Sequence, residues 1–353
     1  MDGLVGALRD AGADLAVVCQ RADAERLSQL DPDAEVIPGP AAIAHRPARL
    51  AWEQTGLPLV AQQVGADVIH SPHYTMPLRA GRPVVVTAHD VTFFTIPDLH
   101  PAVRATFFRS ATRTAMRRAE RVIVPSQATR NELVRVLQAD GDKLDVAPHG
   151  VDPALFHVPD DVEKQRVQAR LGLGGQPYVA FLSVLEPRTN VPGLVEGWVK
   201  ACEGREAPPA LVLAGGAGWD DRVDRALAEV PSHLRVLRPG YLRFVDLPGF
   251  LGGAVVVAYP SHGEGFGFPV LEAMACGGPV LTTRRLSLPE VGGDAVAYTE
   301  PDPDAIARDL AALLDDPARR AELAAAGRKR AEEFTWSGSA DAHLACYTAA
   351  LSP

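Results

Sequence analysis

The sequence predicts an α/β protein made of two doubly wound domains. Three observations carry that prediction. Short apolar, β-branched runs alternate with helix-like segments, the pattern of parallel strands covered on both faces. The runs fall into two sets, each sufficient for its own sheet. A chain of 353 residues is also long for one hydrophobic core.

The first set begins after a helix-like opening at 2–11. A doubly wound domain ordinarily opens with a strand and a glycine-rich loop. The expectation is therefore that a first strand and its phosphate-facing loop are missing. Strands are expected at DLAVVC (14–19), ADVIHS (66–71), PVVVTAH (83–89), RVIVPS (121–126) and LDVAPH (144–149), with helices at 101–119 and 127–138. Pro and Asp in HGVDPALFHVPDD break the pattern near 150–165. The second set follows at YVAFLSV (178–184), ALVLAG (210–215), LRVL (234–237), AVVVAYPS (254–261), PVLTT (279–283) and AVAY (295–298). Helices are expected at 190–203, 303–315 and 317–333, and one more after Trp336. The expected domains are 1–160 and 161–335, with 336–353 as a terminal helix.

Composition narrows the function. A net charge of −9 argues against a general nucleic-acid binder. No apolar run approaches a membrane span, and the N-terminal residues lack the basic flank and apolar core of a signal peptide. Cys19, Cys202, Cys276 and Cys346 are widely spaced, which reads as reduced thiols in a cytoplasmic protein.

Ligands of open parallel sheets bind beyond the carboxyl ends of the strands. In the first half those ends carry His70, His73, His89-Asp90 and His149. His89 is favoured because an acid follows it, although one such histidine is commonly structural. In the second half the strand AVVVAYPS runs into HGEGFG, and FPVLEAMAC continues as a helix that Gly277 and Gly278 end. That helix is apolar except for Glu272, expected in its first turn. A buried carboxylate there needs a partner, and a ribose diol would satisfy it; complementing the helix dipole is the alternative. Gly263, Gly265 and Gly267 let the backbone approach an anionic ligand, beside Glu264.

EGFGFPVLEAMACGGPV resembles the E-x7-E signature of family 4 of the retaining, nucleotide-sugar-dependent glycosyltransferases, which have the GT-B fold. The resemblance extends through RRLSLPEVGGDAVAY, EPRTNVPGLVEGW, TAHDVTFF, RVIVPSQATRNEL and HGVDPALF, nearly the whole chain. It implies two Rossmann-like domains facing a cleft, with the final helix returning to the N-terminal domain. It implies catalytic roles for His89 and Glu264, His89 reaching the transferred sugar. Glu272 would bind the ribose, and the backbone of Gly265, Phe266 and Gly267 the sugar hydroxyls. Phe268 would lie near the phosphates, and Glu290 would shape the donor pocket. Arg188 and Thr189 would lie at the diphosphate. The family usually has lysine where Thr189 stands, and often arginine where Val184 stands; Arg188, Arg284 or Arg285 is the candidate substitute.

The resemblance implies transfer of a hexosyl group, mannosyl by its general character, from a GDP- or UDP-sugar to a glycan or lipid-linked acceptor. The usual proposal for the family is front-face displacement with retention and no metal or other cofactor. Two DPD triplets, at 31–33 and 302–304, superficially resemble a metal motif but sit in proline-broken loops. The alternatives are a catalytically impaired scaffold that binds nucleotide sugar or a partner, and a sugar-nucleotide epimerase. Residues 104–121 form a basic amphipathic candidate, with Phe107, Phe108, Ala111, Ala115 and Ala119 on one side and Arg109, Arg113 and Arg117 on the other. It is either a solvated face over a buried one or a peripheral contact with an anionic membrane.

Overall fold

The computed structural model describes residues 2–30 and 32–352, so Asp31 of the first DPD triplet lies outside it. The chain divides into two units, residues 1–150 with 334–353, and residues 151–333. The division falls about ten residues before the expected 160. The reason is packing: Pro159 lies against Gly252, Val158 against Gly277, and Asp160 caps the helix that follows.

Unit 1 contains α1 (Asp2–Asp10), β1 (Ala16–Cys19), α2 (Arg21–Leu30), β2 (Glu35–Pro38), α3 (Arg46–Gln63), β3 (Ile69–Ser71), β4 (Val84–Thr87), α4 (Thr92–Thr95), α5 (Ala102–Arg118), β5 (Arg121–Val124), α6 (Gln127–Leu137) and β6 (Leu144–Val146). Strands β3-β4-β5-β6 form one parallel sheet, and β1-β2 pair separately. Alternation along β4 sorts its valines. Val84 and Val86 join a core with Phe93, Leu133 and Val124, while Val85 faces the opposite way with Ile123 and Ala147. Strand β2 was not expected; EVIP offers only two consecutive apolar residues before a proline.

Unit 2 contains α7 (Asp161–Arg170), β7 (Tyr178–Leu182), α8 (Val191–Cys202), β8 (Ala210–Ala214), α9 (Arg222–Ala228), β9 (Val236–Gly240), α10 (Leu247–Gly252), β10 (Val256–Tyr259), α11 (Phe268–Ala275), β11 (Val280–Thr283), α12 (Leu288–Gly292), β12 (Ala297–Thr299), α13 (Pro303–Asp315) and α14 (Pro317–Ala331). Its sheet is parallel, in the order β12-β11-β10-β7-β8-β9. The chain starts in the middle at β7, winds outward to β9, then returns to β10 and winds the other way. Strand order therefore reverses between β7 and β10, and the carboxyl ends of those two strands open the crevice where such sheets bind ligands.

The last helix, α15 (Trp336–Leu351), belongs to unit 1. Its Cys346 and Ala350 cover Val85 and Ile123, and its Ala340 packs on Leu4 and Leu8 of α1. All four cysteines are free.

Helix α5 corrects the expected faces. Phe107 is 40% exposed, beside Val103 at 86%, rather than sharing the buried side with Ala115 and Ala119. Arg109 is half-buried, and its Nε donates to the Phe93 carbonyl at 2.6 Å.

Candidate active site

The crevice of unit 2 is built from two loops. After β7 a single tight turn, Pro187–Thr189, leads to Asn190, which adopts the left-handed conformation (φ 59°, ψ 41°) that asparagine tolerates better than most residues. The Asn190 amide donates to the carbonyls of Pro260 (3.2 Å) and Pro301 (2.7 Å), tying this loop to the one after β10. That second loop, 261–267, is fastened at both ends. Thr283 Oγ1 donates to the Ser261 carbonyl at 2.6 Å, and Ser287 Oγ donates to those of Glu264 (2.8 Å) and Phe266 (2.7 Å). Gly267 then opens α11 at φ 112°, where a side chain would be strained and a Cβ would lie 2.9 Å from Leu288.

Glu264 stands in this turn. Its Oε1 accepts hydrogen bonds from Tyr259 Oη (2.7 Å) and Ser261 Oγ (2.8 Å) and is ion-paired with Arg188. Arg188 also pairs with Glu186 at 2.5 Å and donates to the Gly263 carbonyl at 3.1 Å. Burial opposes the charge of Arg188. The fields of Glu264, Tyr259 and Glu186 outweigh it, so its pKa rises well above the ordinary value. Burial first, then the Glu264 charge, pushes the Tyr259 hydroxyl well up, so it stays a proton donor.

Glu272 differs. It is the fifth residue of α11, beyond the first turn in which it was expected. No hydrogen bond or ion pair reaches its carboxyl among the described residues. Burial alone pushes its pKa up to about 8.

The other sequence-derived candidates separate. Thr189 is fully buried, and its hydroxyl donates inside its own loop, with the Glu186 carbonyl at 2.9 Å and the Val184 carbonyl at 3.2 Å as acceptors within reach. Arg188 is engaged by two carboxylates, and Arg284 lies over the Tyr298 ring at 3.9 Å. Arg285 pairs with Glu300 at 2.7 Å. Of the three expected substitutes, Arg188 and Arg285 are ion-paired, and Arg284 rests on an aromatic face with no carboxylate partner among the described residues. Gly265, Gly267 and the Phe266 ring are buried, while Phe268 is 37% exposed and meets Phe266 edge to face at 5.3 Å. Glu290 is half-buried on α12, and its carbonyl accepts from Arg330 at 2.7 Å. Asp302 caps α13 and Asp304 pairs with Lys200, so the second DPD triplet has structural work.

His89 lies in unit 1 beyond β4, its Nε2 2.7 Å from the Pro72 carbonyl. That contact makes Nε2 the protonated nitrogen. Burial leads the causes that lower its pKa, so the ring is neutral near pH 7. His73 and His149 lie 5.9 and 6.0 Å from it, centroid to centroid. Among the described residues no three His, Cys, Asp or Glu are grouped to hold a metal.

Sequence reasoning missed Glu186, Tyr259, Ser261 and Asn190, which orient the named residues. It also missed the glycine loop after β8. There Gly215 stands at φ 128°, and a Cβ on it would lie 1.9 Å from the Ser183 carbonyl. The run GGAG beside a strand end was the available signal.

Two Rossmann-like units are the architecture of the GT-B class of glycosyltransferases, and one of them carries an E-x7-E pair at its switch point. Residues 1–155 match the family described as Glycosyltransferase Family 4, and residues 163–330 match Glycosyl transferases group 1. The O-antigen chain mannosyltransferase B of Escherichia coli is 32% identical over 76% of this chain and 71% of that protein. A D-inositol 3-phosphate glycosyltransferase of Kineococcus radiotolerans is 32% identical over 66% of this chain; the match spans 58% of that relative. Among solved structures, sucrose-phosphate synthase of Thermosynechococcus elongatus superposes with a TM-score of 0.78 at 22% identity, covering 98% of this chain and 91% of that one. HepE of Anabaena, solved in complex with UDP-glucose, gives 0.77 at 20% identity, covering 98% and 95%. The chain belongs to glycosyltransferase family 4.

Proposed function

We propose that the chain transfers a hexosyl group, mannosyl first among candidates, from a nucleoside-diphosphate sugar to a glycan or lipid-linked acceptor, with retention at the anomeric carbon. The observation that carries this reading is Glu272, a half-buried carboxyl without a hydrogen-bond or ion-pair partner among the described residues, on the otherwise apolar switch-point helix, eight residues beyond the fastened Glu264. A ribose diol supplies the missing hydrogen bonds, and Glu264 faces the donor sugar. The mannosyltransferase relative supports the sugar; GDP and UDP are the donor nucleotides to compare, UDP because HepE was solved with UDP-glucose. In the proposed step the bond from the anomeric carbon to the diphosphate oxygen breaks. The acceptor oxygen bonds to the same face, and its proton passes to the departing diphosphate. No metal or other cofactor takes part.

The test is transfer from GDP-mannose, UDP-glucose and related donors to glycan and lipid-linked acceptors, with product configuration read by NMR. Retained configuration, and loss of transfer in Glu264→Ala, is the expected result; inverted product refutes the mechanism. A second reading, an impaired nucleotide-sugar-binding scaffold, is favoured by the buried Thr189 hydroxyl and the doubly paired Arg188. Binding of donor with no transfer to any acceptor would establish it.

Peripheral contact with an anionic membrane through α5 is part of the proposal. The helix holds five arginines and no acid, and exposes Val103 and Phe107. Among the described residues no helix is long and apolar enough to cross a membrane. Equal sedimentation of wild type and Arg113→Glu/Arg117→Glu with phosphatidylglycerol vesicles would refute the contact.

A further inference from the structure

The arginine after β7 has a geometry that its position in the motif did not disclose. Its guanidinium lies between Glu186 and Glu264, and its own carbonyl accepts from His262 N at 2.9 Å. A further contact, Nη1 to the Gly263 carbonyl at 3.1 Å, fixes the start of the glycine turn. The side chains of Arg188, Glu186 and Glu264 are only 16%, 12% and 11% exposed. One cation between two carboxylates leaves the group with a formal charge of −1. A diphosphate approaching it would have to displace one buried carboxylate and face the other, and like charges at short range oppose that.

We propose that Arg188 is a positioning residue for the Glu264 carboxylate rather than a ligand of the donor diphosphate. Through Arg188 the loop after β7 sets where Glu264 points, and Tyr259 and Ser261 complete the orientation from the β10 side. Turnover therefore depends on Arg188, and nucleotide affinity does not. Glu186 shares the guanidinium and keeps it from swinging toward solvent.

The inference rests on the proposed transferase reading, and the experiment separates the two. Arg188→Met, Arg188→Lys and Glu264→Gln are made in the full chain. Dissociation constants for GDP and UDP are measured by calorimetry, and kcat and KM by sugar transfer. Arg188→Met is expected to bind nucleoside diphosphate within threefold of wild type while kcat falls at least thirtyfold, with Arg188→Lys recovering part of kcat. A tenfold or greater loss of nucleotide affinity with kcat retained overturns the proposal. If wild type transfers no sugar, the proposed function fails, and thermal melting still decides the role of Arg188. Arg188→Met must lower the melting temperature more in the Glu264 background than in Glu264→Gln; equal lowering in both overturns the pairing.

Discussion

Replacing Glu272 with glutamine should make unit 2 more stable, by an amount that grows with pH. The folded chain raises this carboxyl from its ordinary 4.5 to about 8 by burial. At about 1.36 kcal/mol per pH unit, ionising it costs roughly 5 kcal/mol more in the folded chain than in the unfolded one. Between the two pKa values the folded state holds a proton that the unfolded state has released. Stability is therefore fully present below about pH 4.5 and is lost as pH rises toward 8. The loss reaches about 1 kcal/mol at pH 5 and about 4 kcal/mol at pH 8. Glutamine keeps the shape and has no proton to lose. Urea unfolding of wild type and Glu272→Gln at pH 5, 6, 7 and 8 should show the advantage of the variant widening by about 3 kcal/mol across that range. Saturating GDP or UDP should narrow the gap by stabilising wild type, since a ligand at 100-fold its Kd contributes about 2.7 kcal/mol. Parallel pH dependences for the two proteins would refute the claim that desolvation without a partner raises this carboxyl.

Unit 1 should respond in the opposite sense. Burial, and then the charges of neighbouring histidines, lower His70 and His149 to about 3 from 6.5. The unfolded chain then binds more protons, so each histidine removes about 2 kcal/mol of stability between pH 7 and 5. The acid limb of the unfolding profile should flatten in His70→Gln/His149→Gln, read as the slope of stability against pH; an unchanged slope counts against the assignment. At the β8 loop, Gly215→Ala places a Cβ against the Ser183 carbonyl at φ 128° and should cost about 3 kcal/mol. Gly174→Ala, at φ 62° in open space, should cost about 1 kcal/mol, so equal melting temperatures for the two variants would refute the steric argument.

The strands of unit 2 could be read from the sequence because they are buried on both faces. Runs such as YVAFL and ALVLA are apolar at every position, a pattern that survives without tertiary context. Strand β2 could not be read because EVIP has exposed ends and only two apolar residues between them. The same distinction applies at the site. Glu272 stood out as a lone carboxyl in an apolar helix, and Glu264 as a carboxyl among glycines. Tyr259 and Ser261 look like ordinary residues at a strand end, and only the folded turn brings their hydroxyls to one carboxylate oxygen. Arg188 was visible as a cation, but its charge is shared between carboxylates 2 and 76 positions away in sequence only once β7 and β10 lie side by side. Phe107 was misplaced because a helical wheel gives the angle of a side chain and not the extent of the surface that covers it.

Where the diphosphate finds its positive charge is the point on which the enzyme and scaffold readings divide. Arg222 and Arg285, whose charges reach His262, are paired with Asp220 and Glu300. Arg284 stacks on Tyr298, and Arg188 carries two carboxylates. Restoring a lysine at 189 looks like the direct test of the missing charge, but the structure argues against its interpretation. The Thr189 side chain points inward, and lysine there would lose the hydroxyl's internal hydrogen bond and have to leave a fully buried position before reaching any ligand. Lost activity in that variant would report the damage, not the charge. The decisive comparison keeps position 189 unchanged: turnover of wild type against Glu264→Ala asks whether the crevice catalyses transfer with the cations it already has.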